Sequence, residues 1–248
     1  MLLRSPTPVM PLDYVTIMAE RLGLYGGSFD PIHCGHLIVA RAIAERLNLN
    51  RVTFLPSARP PHKKGGTHAA AAHRAEMVRL AIEGEPIFEF SDFDLKRKGA
   101  SYTVDTVTHF QRRYGPDASL YWVIGADSLA ELAGWHRIGT LIDACQIVTA
   151  VRTGWEHTDW KRLRTKLTET QIACLQSGML ETPVIDISST GVRGRIRQGK
   201  SIRYLVPDSV VAYVERHGLY RASLRDNAGK RLNGKAVCKR PPGKGGAV

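Results

Sequence analysis

Two histidines three residues apart, His33 and His36, stand in the segment of this chain best suited to chemistry. It reads Gly26-Gly27-Ser28-Phe29-Asp30-Pro31-Ile32-His33-Cys34-Gly35-His36-Leu37. The apolar run from Leu22 to Tyr25 just before it has strand character, and glycines directly after a strand let a ligand approach the backbone. A helix opens near Gly35, and its free N–H groups and dipole favour a phosphate. From that helix start both imidazoles can lean over one phosphate and donate hydrogen bonds as charge grows in a transition state. A lone histidine carries little weight. A His-x-x-His pair is also a metal pattern, but no carboxylate or cysteine cluster completes a metal set here. The glycines match neither G-x-G-x-x-G nor a P-loop. The specific signal is the combination of Gly-Gly, Asp-Pro and His-x-Gly-His in one strand–loop–helix unit.

A second helix start has similar chemistry. In Ser188-Ser189-Thr190-Gly191-Val192-Arg193 the hydroxyls and N–H groups suit phosphate, and Arg193, one turn inside, suits a clamp on the β- or γ-phosphate. Any of the three hydroxyls would also serve as an ordinary helix cap. Asp127 follows a strand, where an acid can accept from ribose hydroxyls. The loop from Ser57 to Thr67 carries His62, Lys63 and Lys64, which suit phosphate or simply solvent. Ser101-Tyr102-Thr103 precedes a helix and can cap it. There is no G-x-S-x-G elbow and no other evident protein nucleophile.

The elements that must carry these groups alternate. Strands are read at Leu22–Tyr25, Val52–Leu55, Ile87–Phe90, Leu120–Ile124, Gln146–Val151 and Pro183–Ile187. Helices are read at Gly35–Asn48, Ala69–Ile82, Tyr102–Tyr114, Thr190–Gln198 and Pro207–Arg216. Alternation of this kind predicts an α/β fold with a parallel sheet and helices on both faces, since parallel strands need crossovers. Ligands of such sheets lie beyond the carboxyl ends of the strands, where three of the motifs fall.

The chain has 248 residues, 43% of them hydrophobic, which is enough for a packed core and too much for a disordered chain. No stretch approaches the roughly 18 apolar residues of a membrane helix, and the first residues do not read as a secretory signal. Cys34, Cys145, Cys174 and Cys238 are scattered, against a disulfide framework or a thiolate zinc site. A cytoplasmic protein is expected. The net charge is +12, of which Arg221 to Val248 contribute +7, with eight basic residues against one acid. A body left at +5 suits anionic substrates, and the tail is a candidate for weak nucleic-acid contact. The predicted organisation is an extension over 1–20, one domain over 21–221 and a basic disordered tail over 222–248.

The segment from Gly26 to Leu37 resembles the signature of the H-x-G-H nucleotidyltransferase superfamily, related to class I aminoacyl-tRNA synthetases. Within it the segment is most similar to the nicotinate-nucleotide adenylyltransferases. The resemblance runs from about Arg21 to Tyr220. It takes in Leu55-Pro56-Ser57-Ala58-Arg59-Pro60-Pro61-His62-Lys63-Lys64, Ser101-Tyr102-Thr103, Gly125-Ala126-Asp127-Ser128, Trp135-His136-Arg137 and Ile187–Arg193. Many members carry asparagine where this chain has Ser57-Ala58.

The resemblance implies a Rossmann-like doubly wound sheet and transfer of AMP from ATP to nicotinate mononucleotide, as in NAD biosynthesis. It implies catalytic roles for His33, His36 and Arg193. ATP would meet Gly26, Gly27, Ser28, Phe29, Gly35, Gly125, Asp127, Ser188, Ser189 and Thr190. The mononucleotide would meet Ser57, His62, Lys63, Thr103, Trp135 and His136, with Thr103 near the nicotinate carboxylate and Trp135 stacked on the ring. Mg²⁺ would ride on the triphosphate, held mainly by substrate and water. The alternatives are another transferase of the superfamily, such as a pantetheine-phosphate adenylyltransferase or a cytidylyltransferase, and a nucleic-acid-binding protein acting through its tail.

Overall fold

A strand that must be followed by another strand in the same direction has to send the chain back over the sheet, and here helices make every return. A computed structural model describes residues 19–58, 67–151 and 158–221. His62, Lys63, the tail from residue 222 and all but the last two residues of the N-terminal extension lie outside the described residues. The strands are β1 (Arg21–Gly27), β2 (Arg51–Pro56), β3 (Phe88–Phe90), β4 (Ser119–Gly125), β5 (Gln146–Val151) and β6 (Met179–Glu181). All five pairings are parallel, in the order β3-β2-β1-β4-β5-β6. The order reverses between β1 and β4, and such a reversal opens a crevice at the carboxyl ends of the two strands.

Helix α1 (Cys34–Arg46) links β1 to β2, and α2 (Ala71–Ile82) leads from β2 towards β3. The short α3 (Phe93–Lys96) and α4 (Thr103–Tyr114) return the chain to β4. Helices α5 (Ala126–Glu131) and α6 (Ile138–Ala144) precede β5. Helices α7 (Trp160–Arg164) and α8 (Glu169–Ser177) precede β6, and α9 (Ser189–Arg197) and α10 (Asp208–Arg216) close the domain. Strand alternation divides the core. Leu120, Trp122 and Ile124 of β4 pack with Leu22, Leu24 and residues of α4, α6 and α8 on one face. Tyr121 and Val123 pack with Val52, Phe54 and residues of α1, α2 and α10 on the other. The doubly wound α/β sheet expected from the sequence is therefore observed. No helix among the described residues is long and apolar enough to cross a membrane.

The expected strand at Pro183–Ile187 is corrected. The sixth strand is Met179–Glu181, beginning right after Gly178 ends α8. Its ladder stops where Thr182 N–H donates to the Val151 carbonyl at 3.1 Å. Pro183 has no N–H to continue it. Residues 183–187 run on without sheet pairing, and Ile185 and Ile187 become wall residues of the cleft.

Candidate active site

The crevice at the β1/β4 reversal holds two adjoining cavities. The larger, about 550 Å³, is lined by Ser28, His33, Gly35, His36, Gly125, Asp127, Ser188 and Ser189, with Ile185 and Ile187 among its apolar walls. The smaller, about 330 Å³, is lined by Gly26, Gly27, Ser57, Thr103, Trp122, Trp135 and His136. Tyr25, Ser28, Gly125 and Ser128 belong to both. Most of the residues singled out in the sequence thus meet in one cleft, although β1, α4, β4 and α9 supply them from positions more than 150 residues apart.

His33 is the N-cap residue of α1, extended and buried, and His36 lies in the first turn. Their rings stack with centroids 3.7 Å apart. The His33 backbone N–H donates to His36 Nδ1 at 3.1 Å. That bond fixes the chemistry of His36, because a ring nitrogen that accepts carries no proton, so Nε2 is the donor. Burial pushes the His33 imidazole down to about 4 from its usual 6.5. Its Nδ1 is buried without a hydrogen-bond partner among the described residues. At neutral pH the pair offers N–H donors rather than two full positive charges.

Glycine is required where rings press on the loop. A Cβ on Gly26 would lie 2.4 Å from Trp122 Cζ2, and one on Gly35 would lie 3.0 Å from His33 Nδ1. The Trp122 indole is buried in the core cluster of its face, so a shift to make room for the Cβ costs core packing even though the ring also borders the smaller cavity. Gly26→Ala should therefore lower stability by about 1–3 kcal/mol, as overpacking of a core does, read as a shift of the denaturant midpoint at unchanged slope. A variant as stable as the parent would mean that Trp122 repacks freely.

Some expected residues lie elsewhere. Phe29 lines neither cavity. Its φ is +45°, a conformation uncommon for a non-glycine residue, and its ring is buried against Tyr25, Phe54 and His36. Arg193 also lines neither. It is buried, with Nη1 donating to the Asp30 carbonyl at 2.6 Å and Nη2 to Thr190 Oγ1 at 3.1 Å. The free guanidinium expected over the phosphates is instead turned into the protein, and the Thr190 hydroxyl is taken up by it. Ser188 caps α9 through Gly191 N–H, and Ser189 Oγ donates to the Pro31 carbonyl at 2.8 Å, tying α9 to the loop after β1. His136 stacks on Tyr102 at 4.3 Å, and Trp135 packs against the core cluster of its face.

The sequence reading passed over several wall groups. Asp94 lines the smaller cavity, almost wholly buried, and burial raises its carboxyl while Thr106 and Arg97 counteract. Thr106 Oγ1 donates to it at 2.7 Å. Ser101 Oγ, on the same wall, is buried with no hydrogen-bond partner among the described residues. Asp105, in the first turn of α4, would oppose an anion at that helix start, but Arg97 pairs with it at 2.5 Å. No lysine or arginine lines either cavity among the described residues.

Comparison with known proteins gives consistent relatives. The profile described as cytidylyltransferase-like matches residues 24–195. A protein of Moorella thermoacetica named "Probable nicotinate-nucleotide adenylyltransferase" is 41% identical over 204 residues, 82% of this chain and 93% of that one. One of Thermomicrobium roseum with the same name is 42% identical over 202 residues, 82% and 92% of the two chains. Among solved structures, the Plasmodium falciparum nicotinic acid mononucleotide adenylyltransferase complexed with NaAD superposes with a TM-score of 0.63 at 18% identity, covering 81% of this chain and 97% of that one. At that identity the likeness concerns the fold.

Proposed function

The chain belongs to the cytidylyltransferase-like family and, within it, to the nicotinate-nucleotide adenylyltransferases, and from that premise we infer that its cleft joins the adenylyl group of ATP to nicotinate mononucleotide. The observation that carries the reading is the stacked His33–His36 pair facing a cavity that opens directly into a second, aromatic-walled one. The larger cavity would take ATP and the smaller the mononucleotide. A 5′-phosphate oxygen of the mononucleotide forms a bond to the α-phosphorus of ATP. The bond from that phosphorus to the β-bridging oxygen breaks in line, and pyrophosphate leaves with its electrons. The nucleophile belongs to the substrate, so the protein's part is positioning and stabilisation of charge.

His33 and His36 would donate to phosphate oxygens as charge builds on them. The amino-terminal turns of α1 and α9 add oriented N–H groups and the positive end of each helix dipole. Thr103 at the start of α4 would receive the nicotinate carboxylate, with Asp105 neutralised by Arg97, and Trp135 would face the ring. His62 and Lys63 remain part of this reading as phosphate contacts. We assign Arg193 a positioning role through Asp30 rather than a phosphate clamp.

Mg²⁺ fits the donor set. The larger cavity carries hydroxyls and one carboxylate, Asp127, and no group of three metal-type ligands exists among the described residues. A small hard cation that keeps its waters and binds phosphate oxygens suits such a wall. Bound with ATP it supplies neutralisation of the triphosphate. The reading assigns the reaction to residues 21–221, and the scattered thiols support a reducing, cytoplasmic setting.

The test is pyrophosphate release with ATP and Mg²⁺ and one acceptor at a time. Nicotinate mononucleotide should be turned over, and nicotinamide mononucleotide and phosphopantetheine far more slowly. Turnover with phosphopantetheine instead would keep the histidine chemistry and remove the substrate assignment.

A further inference from the structure

The largest fully buried side chain among the described residues is a charged one, Arg74 on α2, with no solvent exposure. A guanidinium taken out of water is costly unless every donor is used and a counter-charge is near. In Arg74 each of the three guanidinium nitrogens has an acceptor and a counter-charge is near, and the partners come from three segments. Nη1 donates to the Ser28 carbonyl at 2.6 Å, Nε to the Ala69 carbonyl at 3.2 Å and Nη2 to the Ala58 carbonyl at 3.5 Å. The countercharge is Asp30, 1% exposed. Its carboxylate accepts from the backbone N–H groups of His68 at 2.7 Å and Ala69 at 3.1 Å and from the Tyr220 hydroxyl at 2.8 Å. Its carbonyl accepts from Arg193.

These bonds converge on the loop between β1 and the catalytic histidines. Three of its carbonyls, those of Ser28, Asp30 and Pro31, are each held by a side chain from another element: Arg74, Arg193 and Ser189. A carbonyl oxygen facing a polyphosphate would repel it, and a loop whose carbonyls are engaged behind it does not present them. His33 follows Pro31 by two residues, so its place is set by the same bonds.

We propose that Arg74 and Asp30 form a buried clasp that positions the 28–33 loop, and through it His33 and His36, for phosphoryl chemistry, with Tyr220 locking the clasp from the end of the domain. The proposal rests on the adenylyltransferase reading and adds a device to it. Arg74 lines neither cavity, and of its three hydrogen-bond partners given above only Ser28 does, so it is a positioning residue. A misplacement of reacting groups by about 1 Å costs on the order of 100-fold in rate.

The experiment compares the full chain with Arg74→Met, which keeps the apolar stem and loses the donors, and with Tyr220→Phe, which loses one hydroxyl. Arg74→Met should lower kcat about 10- to 100-fold while calorimetric affinity for ATP stays within about threefold. Amide hydrogen exchange at His68 and Ala69 should quicken. Tyr220→Phe should fold normally and lose about three- to tenfold in kcat. A folded Arg74→Met with kcat within threefold of the parent overturns the proposal, as does a loss of kcat matched by an equal loss of ATP-binding-competent protein. If Arg74→Met does not fold, an unchanged kcat in Tyr220→Phe overturns it. A parent that transfers nothing to nicotinate mononucleotide removes the substrate reading, and faster exchange at His68 and Ala69 in Arg74→Met would still support the clasp.

Discussion

His36→Ala should lower kcat by about 100- to 1,000-fold, the loss that follows removal of one preorganised donor to developing charge. His33 N–H occupies Nδ1 of His36, which leaves Nε2–H as the donor, and the ring stacks on His33 over the larger cavity. That donor is worth most when the phosphate charge redistributes, so KM for ATP should change only a few-fold while kcat carries the loss. His36 is half-buried and lies in an exposed-edged first turn, so the thermal midpoint should move by no more than a few degrees. Steady-state kinetics beside a thermal melt separates the two effects. A variant that folds and keeps kcat within threefold would take His36 out of the transition state. One that loses turnover only in step with folded protein would make it a capping residue.

The five strands from β1 to β5 were legible because each is a short apolar or β-branched run closed by glycine, proline or a charged loop. The histidine pair was legible because loop and helix start are contiguous in sequence. Helices α3, α5 and α7 were not legible. Each is two turns or less, too short for a 3.6-residue period to declare itself. Helix α8 did carry a readable sign. Thr168 and Gln171 bond reciprocally, the Thr-x-x-Gln pattern of a capping box. The false strand at 183–187 arose from Val184, Ile185 and Ile187: the two isoleucines serve the cleft wall and not a ladder, and Val184 is exposed.

Arg74 is the more instructive omission. On α2 it stands three and four residues before Met77 and Val78, in line with the buried face of the helix. A charge on an apolar stripe is a signal, because burial there is tolerated only with partners. The partners themselves were out of reach of the sequence. Asp30 lies 44 residues away, and Tyr220, which bonds to Asp30, lies 190 residues beyond it. Local pattern can mark a buried charge, and only the fold says what it holds.

The absence of lysine and arginine from both cavity walls among the described residues changes what the histidines must do. Their donors, two long helix starts and the cation carried by the substrate would share the neutralisation of charge. A neutral His33 is part of that scheme, and it has a thermodynamic consequence. Its imidazole is held at about 4 in the folded protein by burial, against 6.5 when exposed. Above pH 6.5 both states are neutral and the folded state has its full stability. Between pH 6.5 and about 4 the unfolded chain takes up a proton that the folded chain refuses, so stability falls with acid at about 1.4 kcal/mol per pH unit, about 3 kcal/mol in all. His33→Asn removes that limb. Urea unfolding at pH 7, 6, 5 and 4.5 should show the parent losing stability more steeply than the variant, with the gap closing on the acid side. Asp94, whose carboxyl burial raises, acts in the opposite sense, and His109, lowered by burial and by Arg113, acts in the same sense. Both are common to parent and variant and cancel in the difference. Parallel pH profiles would mean that His33 is solvated in the folded state, and the neutral-donor scheme for the pair would go with it.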